Sequence, residues 1–219
     1  MSLPIEVPGL DTLISEISEG TIIVVEGGAD LAKSFFVRRL CRTAIHAGRP
    51  VSFVTSRDAA ELRALFAREN GESSGATAQL RVVEMDTLDS LAELVPRGAP
   101  RAGRVPRGGL LAVDSFSYLT LGLSPNDLAR MLRDLHRASR ENGATALLVT
   151  DEGMFESRAE AVLAHLAEGH IQFHAQEGSE GLVRFLRIPK WADGRFVDRN
   201  IYYDFDGRRM AIDLRNRVL

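Results

Sequence analysis

Short runs of β-branched and aliphatic residues alternate along this chain with stretches of helical periodicity, and this alternation constrains the fold more than any other feature. Parallel strands joined by crossover helices produce such a pattern, because each strand is buried on both faces. The runs predict strands at 21–26, 51–55, 79–85, 109–114, 144–150 and 169–173, and helices at 32–47, 58–70, 88–95, 125–142 and 156–166. We therefore expect an α/β fold with a mainly parallel, twisted sheet and helices on both of its faces.

The C-terminal part of the chain has a different pattern. Residues 182–188, 200–205 and 208–214 alternate polar and apolar side chains between glycine-containing turns. This alternation is typical of antiparallel strands with one solvated face. We expect an antiparallel C-terminal extension at one edge of the sheet, within a single domain that spans 1–219.

Composition excludes several classes of protein. Hydrophobic residues make up 45% of the chain and charged residues 26%, as in ordinary globular proteins. The net charge of −3 gives no reason to expect a nucleic-acid partner. The single cysteine, Cys41, the absence of a signal-peptide pattern and the absence of a membrane-length apolar run predict a cytoplasmic protein without a membrane span.

One segment, 96–109, is rich in proline, glycine and arginine. It contains three prolines, four glycines and four arginines, which predicts a flexible, solvated loop. A DNA-binding role for these arginines is the alternative interpretation, and it would give salt-sensitive binding.

A glycine pair between the first predicted strand and the first predicted helix begins a candidate phosphate-binding loop. In such loops, backbone N–H groups and the helix N-terminus surround the phosphates, a lysine reaches the β- and γ-phosphates, and a hydroxyl ligates Mg²⁺. Here the candidate nucleotide-binding residues are Gly27, Gly28, Ala29, Asp30, Leu31, Ala32, Lys33 and Ser34. Two of them weaken the match, since Ala32 replaces a glycine and Asp30 places a carboxylate beside the phosphates. An ordinary strand-turn-helix is the alternative.

A second signal is the apolar strand that ends in Asp114. In P-loop enzymes a carboxylate at this position holds the water shell of Mg²⁺. Together with Ser34 it predicts a magnesium site, and ATP with Mg²⁺ as the cofactors. Ser115 and Thr150-Asp151 also lie at strand ends, where they could sense the γ-phosphate or simply form turns.

Four segments together resemble KaiC-type ATPases of the RecA superfamily, including the archaeal KaiC/FlaH-like group. They are Pro8-Gly9-Leu10-Asp11, the loop with Lys33-Ser34, Val113-Asp114-Ser115, and Arg187-Ile188-Pro189-Lys190. The resemblance covers most of the chain and implies a RecA-like P-loop core that binds ATP and Mg²⁺. It also implies a homo-oligomer, with a hexameric ring as the family's common form.

The chain departs from this family at two places that matter for hydrolysis. The family's catalytic glutamate pair reads Arg57-Asp58 here, which leaves Asp58 as a weak candidate base. The family's trans-acting Lys-x-Arg segment keeps Lys190 but has Ala192 at the arginine position. We therefore expect an ATP-binding regulatory protein with slow or lost hydrolysis, in which nucleotide controls assembly or the binding of an unidentified protein partner. An active Mg²⁺-dependent ATPase, a nucleotide-free scaffold and a recombinase-like DNA-binding protein are the alternatives.

The remaining conspicuous residues favour structural roles. His170 and His174 lie about 13 Å apart on a strand, too far to share a metal ion. Cys41 follows an inward leucine and is expected to pack in the core. Trp191 is expected to pack rather than to stack on a ligand.

Overall fold

The computed structural model describes residues 2–29, 31–70, 76–86, 105–178, 181–194 and 196–213. The predicted helix 88–95 lies outside these residues, as does most of the predicted loop 96–109. No helix among the described residues is both long enough and apolar enough to cross a bilayer.

The described residues form one large sheet of nine strands. Its strands are β3 (Ile22–Gly27), β4 (Val51–Thr55), β5 (Leu80–Glu84), β6 (Leu110–Asp114), β7 (Thr145–Asp151), β8 (Gly169–Gly178), β9 (Gly181–Lys190), β10 (Val197–Phe205) and β11 (Met210–Ile212). Their spatial order is β11-β10-β9-β8-β3-β7-β6-β4-β5. The six strands from β8 to β5 pair in parallel, whereas β9, β10 and β11 are added in antiparallel fashion. The predicted parallel core and antiparallel extension are confirmed.

Five α-helices flank the strands in the part of the chain that the structure describes. They are α1 (Lys33–His46), α2 (Ala59–Asn70), α3 (Phe116–Leu119), α4 (Pro125–Asn142) and α5 (Ser157–Leu166). The apolar residues of α1 and α2 belong to one buried cluster, and those of α3, α4 and α5 belong to a second cluster. Alternate residues of β3 divide between the two clusters, which places helices on both faces of the sheet, as predicted.

Local sequence signals explain the bounds of α4. The Ser124 hydroxyl accepts a hydrogen bond from the Asp127 N–H at 3.2 Å, and Pro125 occupies the first turn, where its missing N–H costs nothing. Gly143 ends the helix at φ 60°, a left-handed conformation that glycine adopts without strain. Both ends match the prediction.

The short helix α3 was not predicted, and two features of the strands also differ from the predictions. A small two-stranded sheet pairs β1 (Leu3–Pro4) with β2 (Glu16–Ile17), and strands this short carry no readable periodicity. Strand β8 continues to Gly178, five residues beyond the predicted end at 173. Its second half is polar and exposed, and pairing with β9 rather than an apolar pattern keeps it extended.

Gly109, directly before β6, tests how tightly the chain packs where β6 and β4 begin. A methyl group at Gly109 would lie 2.1 Å from the backbone oxygen of Pro50, which cannot move without shifting β4. We expect Gly109→Ala to lower the free energy of unfolding by about 3 kcal/mol, because overpacking against backbone is not relieved by side-chain rotation. Thermal unfolding measures the effect. Gly28→Ala is the control, since its nearest neighbour, the Leu31 Cδ1 atom, lies 3.5 Å away; equal loss in both variants would contradict the packing argument.

Candidate functional site

The loop between β3 and α1 lies at the carboxyl edge of the parallel strands, where ligands bind in open α/β sheets. Gly27 pairs with Phe173 of β8, and a methyl group on Gly27 would lie 2.8 Å from both the Cβ and the carbonyl oxygen of Phe173. The chain leaves the sheet here and enters α1 at Lys33. The first N–H groups of a helix have no partner within it, so they are available to an anion. Asp30 lies outside the described residues.

Ala32 occupies the position immediately before α1 with φ 65°, in the left-handed region. It is the single non-glycine residue with positive φ among those that the structure describes. An alanine in this conformation costs roughly 1–2 kcal/mol relative to the right-handed one, a cost that glycine does not have. The loop therefore has, at Ala32, the backbone conformation that glycine adopts most easily.

The Lys33 ammonium is buried and fully engaged within the chain. Its side chain is 8% exposed and forms an ion pair with Asp151 at the end of β7. The same Nζ atom donates to the carbonyl oxygens of Gly27, at 2.6 Å, and Thr150, at 3.2 Å. Strand β7 pairs directly with β3, which explains why its carboxyl end reaches this lysine.

Asp151 is held in turn by two serines. The hydroxyls of Ser115 and Ser117 donate to its Oδ2 atom at 3.2 and 2.9 Å, and the Asp151 N–H donates to the Ser117 oxygen at 3.1 Å. Burial works to raise the pKa of Asp151, but the hydrogen bond and charge of Lys33 and the serine hydroxyls outweigh it. The pKa of this carboxyl is lowered, so Asp151 is ionised at neutral pH.

Asp114 and Ser34 form the other half of the site. Burial raises the pKa of the Asp114 carboxyl, and the hydrogen bond from the Ser34 hydroxyl and the charges of Arg38 and Lys33 offset this only in part. The nearby Asp151 carboxylate repels Asp114 and also raises its pKa. A cation between the Ser34 hydroxyl and Asp114 would therefore relieve an uncompensated buried charge.

These donors suit magnesium and a polyphosphate. Mg²⁺ prefers hard oxygen ligands and is commonly held by one or two carboxylates together with phosphate oxygens. Ser34 and Asp114 have such oxygens, and an ammonium group such as that of Lys33 and the N–H groups at the start of a helix are of the kind that binds phosphate in other proteins. Within the described ranges no group of three or more His, Cys, Asp or Glu side chains forms an all-protein metal cage.

Asp58 is engaged at the start of α2. It precedes α2, and its Oδ1 atom accepts hydrogen bonds from the N–H groups of Ala60, at 2.6 Å, and Glu61, at 3.1 Å. Strand β4, which leads to it, is the direct neighbour of β6, and Thr55 at its end pairs with Asp114. Asp58 caps a helix in this structure, and its role as a base stays a prediction.

Lys190 lies at the amino ends of the parallel strands, opposite the end where Lys33 lies. It pairs with His170, near the start of β8, and its ammonium donates to the carbonyl oxygens of Ala164 and His165, both at 3.1 Å. A cation at the last turn of a helix is stabilised by the free carbonyl groups and the helix dipole. Lys190 thus caps α5, and its action on a neighbouring subunit stays a prediction.

The expected packing of Cys41 and Trp191 in the core is confirmed. His170 hydrogen-bonds to Glu26 at 2.8 Å, Cys41 is fully buried with a raised thiol pKa caused by burial, and Trp191 is 3% exposed within the core. Tyr203 of β10 was not predicted to touch the site. Its hydroxyl donates to the Leu31 carbonyl at 2.7 Å, which ties the antiparallel extension to the candidate phosphate loop.

Two solved structures share this architecture over nearly their whole length. The KaiC-like protein of the hyperthermophilic archaeon Pyrococcus horikoshii OT3 superposes with a TM-score of 0.76 at 22% identity, covering 97% of this chain and 99% of that one. This chain has the KaiC-like fold. The flagellar accessory protein FlaH of Methanocaldococcus jannaschii superposes with a TM-score of 0.73 at 16% identity, covering 97% and 98%. The fold implied by the sequence resemblance is thereby confirmed.

Sequence comparison adds nothing to this structural similarity. No protein-family model matches the chain, and a search of curated proteins gives no significant match. At identities of 22% and 16% the solved structures establish the fold alone.

Tyr203→Phe tests the link between the extension and the loop. The change leaves the Leu31 carbonyl without its buried donor, which costs about 1–3 kcal/mol of unfolding free energy. A decrease in melting temperature of about 3–10 °C is expected for a chain of this size. Tyr202→Phe, on the same strand, is the control and should change the unfolding free energy by less than about 0.5 kcal/mol. Equal decreases in both variants would show that the Leu31 bond is not responsible.

Asp114→Asn should stabilise the nucleotide-free protein at neutral pH. Folding raises the pKa of the Asp114 carboxyl, so the ionised carboxyl destabilises the folded state. This destabilisation is absent below the pKa that Asp114 has in the unfolded chain, and it is complete above the pKa that Asp114 has in the folded chain. The variant's melting temperature should exceed that of the wild type at pH 7, and the difference should vanish at a pH below about 4. Melting curves across this pH range measure it. A variant less stable at pH 7 would show that the attractions of Arg38 and Lys33 dominate.

Proposed function

We propose that this chain binds ATP with Mg²⁺ at the loop between β3 and α1, with slow or absent hydrolysis. The observation that carries the proposal is the placement of Lys33 and Ser34 at the start of α1, beside Asp114 at the end of β6. This arrangement provides phosphate-binding and magnesium-binding groups at one edge of the sheet.

Each residue has a distinct role in this proposal. Lys33 neutralises the β- and γ-phosphates, and the N–H groups at the start of α1 receive phosphate oxygens. The Ser34 hydroxyl ligates Mg²⁺ directly, and Asp114 orients the metal's water ligands. Bound Mg²⁺ supplies positive charge that offsets both the phosphates and the buried Asp114 carboxylate.

Slow hydrolysis follows from the position of the carboxylates. A general base must lie within hydrogen-bond reach of the attacking water, directly or through one further water. Asp58 is turned to the N–H groups of α2, and Arg57 beside it is an exposed cation paired with Glu61. Lys190, the candidate trans-acting residue, is engaged by the carbonyl groups of α5 in its own chain.

Control of assembly is the function that best suits a site with poor turnover. We infer a cytoplasmic homo-oligomer, with a hexameric ring as its expected form, that changes its contacts or its protein partner when ATP binds. Exposed apolar side chains support such contacts. Tyr118 and Leu121 are each 51% exposed, and Met154 is 38% exposed, on segments that follow β6 and β7 near the site.

Calorimetric titration with ATP and Mg²⁺ tests the proposal directly. We expect binding in the micromolar range, and Lys33→Ala should weaken it by about 100-fold or more, because a desolvated charge pair is lost. Arg137→Ala is the control, since it removes one positive charge from an exposed side chain of α4 that pairs with Asp134 of the same helix. Its affinity for ATP should stay within about twofold of the wild type.

The same samples distinguish the remaining alternatives. No binding heat in the wild type up to millimolar ATP would overturn the proposal and favour a scaffold. Multiple turnovers per minute that disappear in Asp114→Asn would show an active ATPase instead. Light scattering with and without ATP measures the expected change in assembly.

A further inference from the structure

Lys33 has no free donor for a phosphate oxygen. An ammonium group has three N–H donors, and Lys33 uses them on the carbonyl oxygens of Gly27 and Thr150 and on the Asp151 carboxylate. A phosphate can bind Lys33 only when one of these acceptors leaves.

Only one of the three acceptors is free to leave. The Gly27 and Thr150 carbonyls belong to the paired ends of β3 and β7, so moving them would disrupt the sheet. The Asp151 carboxylate belongs to a side chain that is 37% exposed, against 8% for Lys33. Rotation of this side chain would take the carboxylate toward solvent and leave the backbone in place.

We propose that Asp151 is a built-in counter-anion that competes with phosphate groups for Lys33, so that nucleotide binds only when this carboxylate is displaced. The proposal rests on the ATP-binding function proposed above and adds its regulation. A closed state in which Lys33 is occupied reduces the binding-competent fraction, and the apparent dissociation constant rises by the same factor. A phosphate beside an undisplaced Asp151 would also meet like-charge repulsion.

Ser117 positions the Asp151 carboxylate. It is fully buried, donates to the Asp151 carboxylate and accepts the Asp151 N–H. Because Ser117 lies in α3, directly after β6, a movement of this helix would release the carboxylate from Lys33. A movement at the end of β6, where Asp114 lies, would thereby change whether Lys33 can bind a phosphate.

Asp151→Asn tests the proposal, because the amide keeps the shape but loses the charge. Calorimetry with ATP and Mg²⁺ should give an affinity at least about 10-fold higher than the wild type. The nucleotide-free variant should melt at a lower temperature, since Lys33 is left buried without its counter-charge. A merely structural residue would lower stability and affinity together, whereas a competitor lowers stability and raises affinity.

Glu152→Gln is the matched control. It removes the same charge from the next residue, which is exposed, and should change the affinity by less than about threefold. An equal increase in both variants would assign the effect to general electrostatics and overturn the proposal. If Asp151→Asn does not fold, Ser117→Ala replaces it, with an expected increase of severalfold; unchanged or weaker binding would overturn the proposal.

The outcomes separate this proposal from the proposed function. Binding by the wild type with equal or weaker binding by Asp151→Asn overturns the counter-anion and leaves ATP binding in place. Binding by Asp151→Asn alone supports the counter-anion and overturns ATP binding by the wild-type chain. Binding by neither protein overturns both.

Discussion

A buried lysine charge imposes the main constraint on this structure. Lys33 stands at the start of α1, almost wholly out of solvent, and a cation in such a place must be neutralised and fully hydrogen-bonded. The chain satisfies it with a carboxylate from β7 and two strand-end carbonyls. The loop, the ends of β3 and β7, and α3 are consequently joined in one polar network at the edge of the sheet.

The two carboxylates of this edge have opposite environments. Asp151 gains more from Lys33 and the serine hydroxyls than burial takes away, so its pKa is lowered. Asp114 loses more through burial, and repulsion from Asp151 adds to this loss, so its pKa is raised. Pairs of titratable groups with opposite shifts are typical of functional sites, although ion-pair networks with only a structural role produce them too. Here the raised member is the one that a magnesium ion would stabilise.

The antiparallel extension contributes to the site without entering it. Tyr203 holds the Leu31 carbonyl, and its ring packs edge-on against Phe173 at 5.6 Å. Phe173 in turn leaves no room for a side chain at Gly27. The backbone conformation before α1 is therefore fixed from outside the loop, which explains how Ala32 can occupy a left-handed position without a glycine.

Most of the fold could be predicted from the sequence, and so could the proximity of Ser34 to Asp114 at the carboxyl edge of the sheet. A short apolar run located β4 and a period-3.6 pattern located α4 to the residue, because burial on a regular element leaves a direct trace in hydrophobicity. The spacing of the glycine pair, Lys33 and Ser34, together with a strand that ends in Asp114, predicted a candidate nucleotide site from local sequence. The partners of these residues were decided by tertiary structure alone. Lys33 and Asp151 are 118 positions apart, and Leu31 and Tyr203 are 172 apart, so only the strand order brings them into contact. Local sequence sets which groups are present, but hydrogen bonds and charge interactions act over a few ångströms, and the sheet decides which groups come that close.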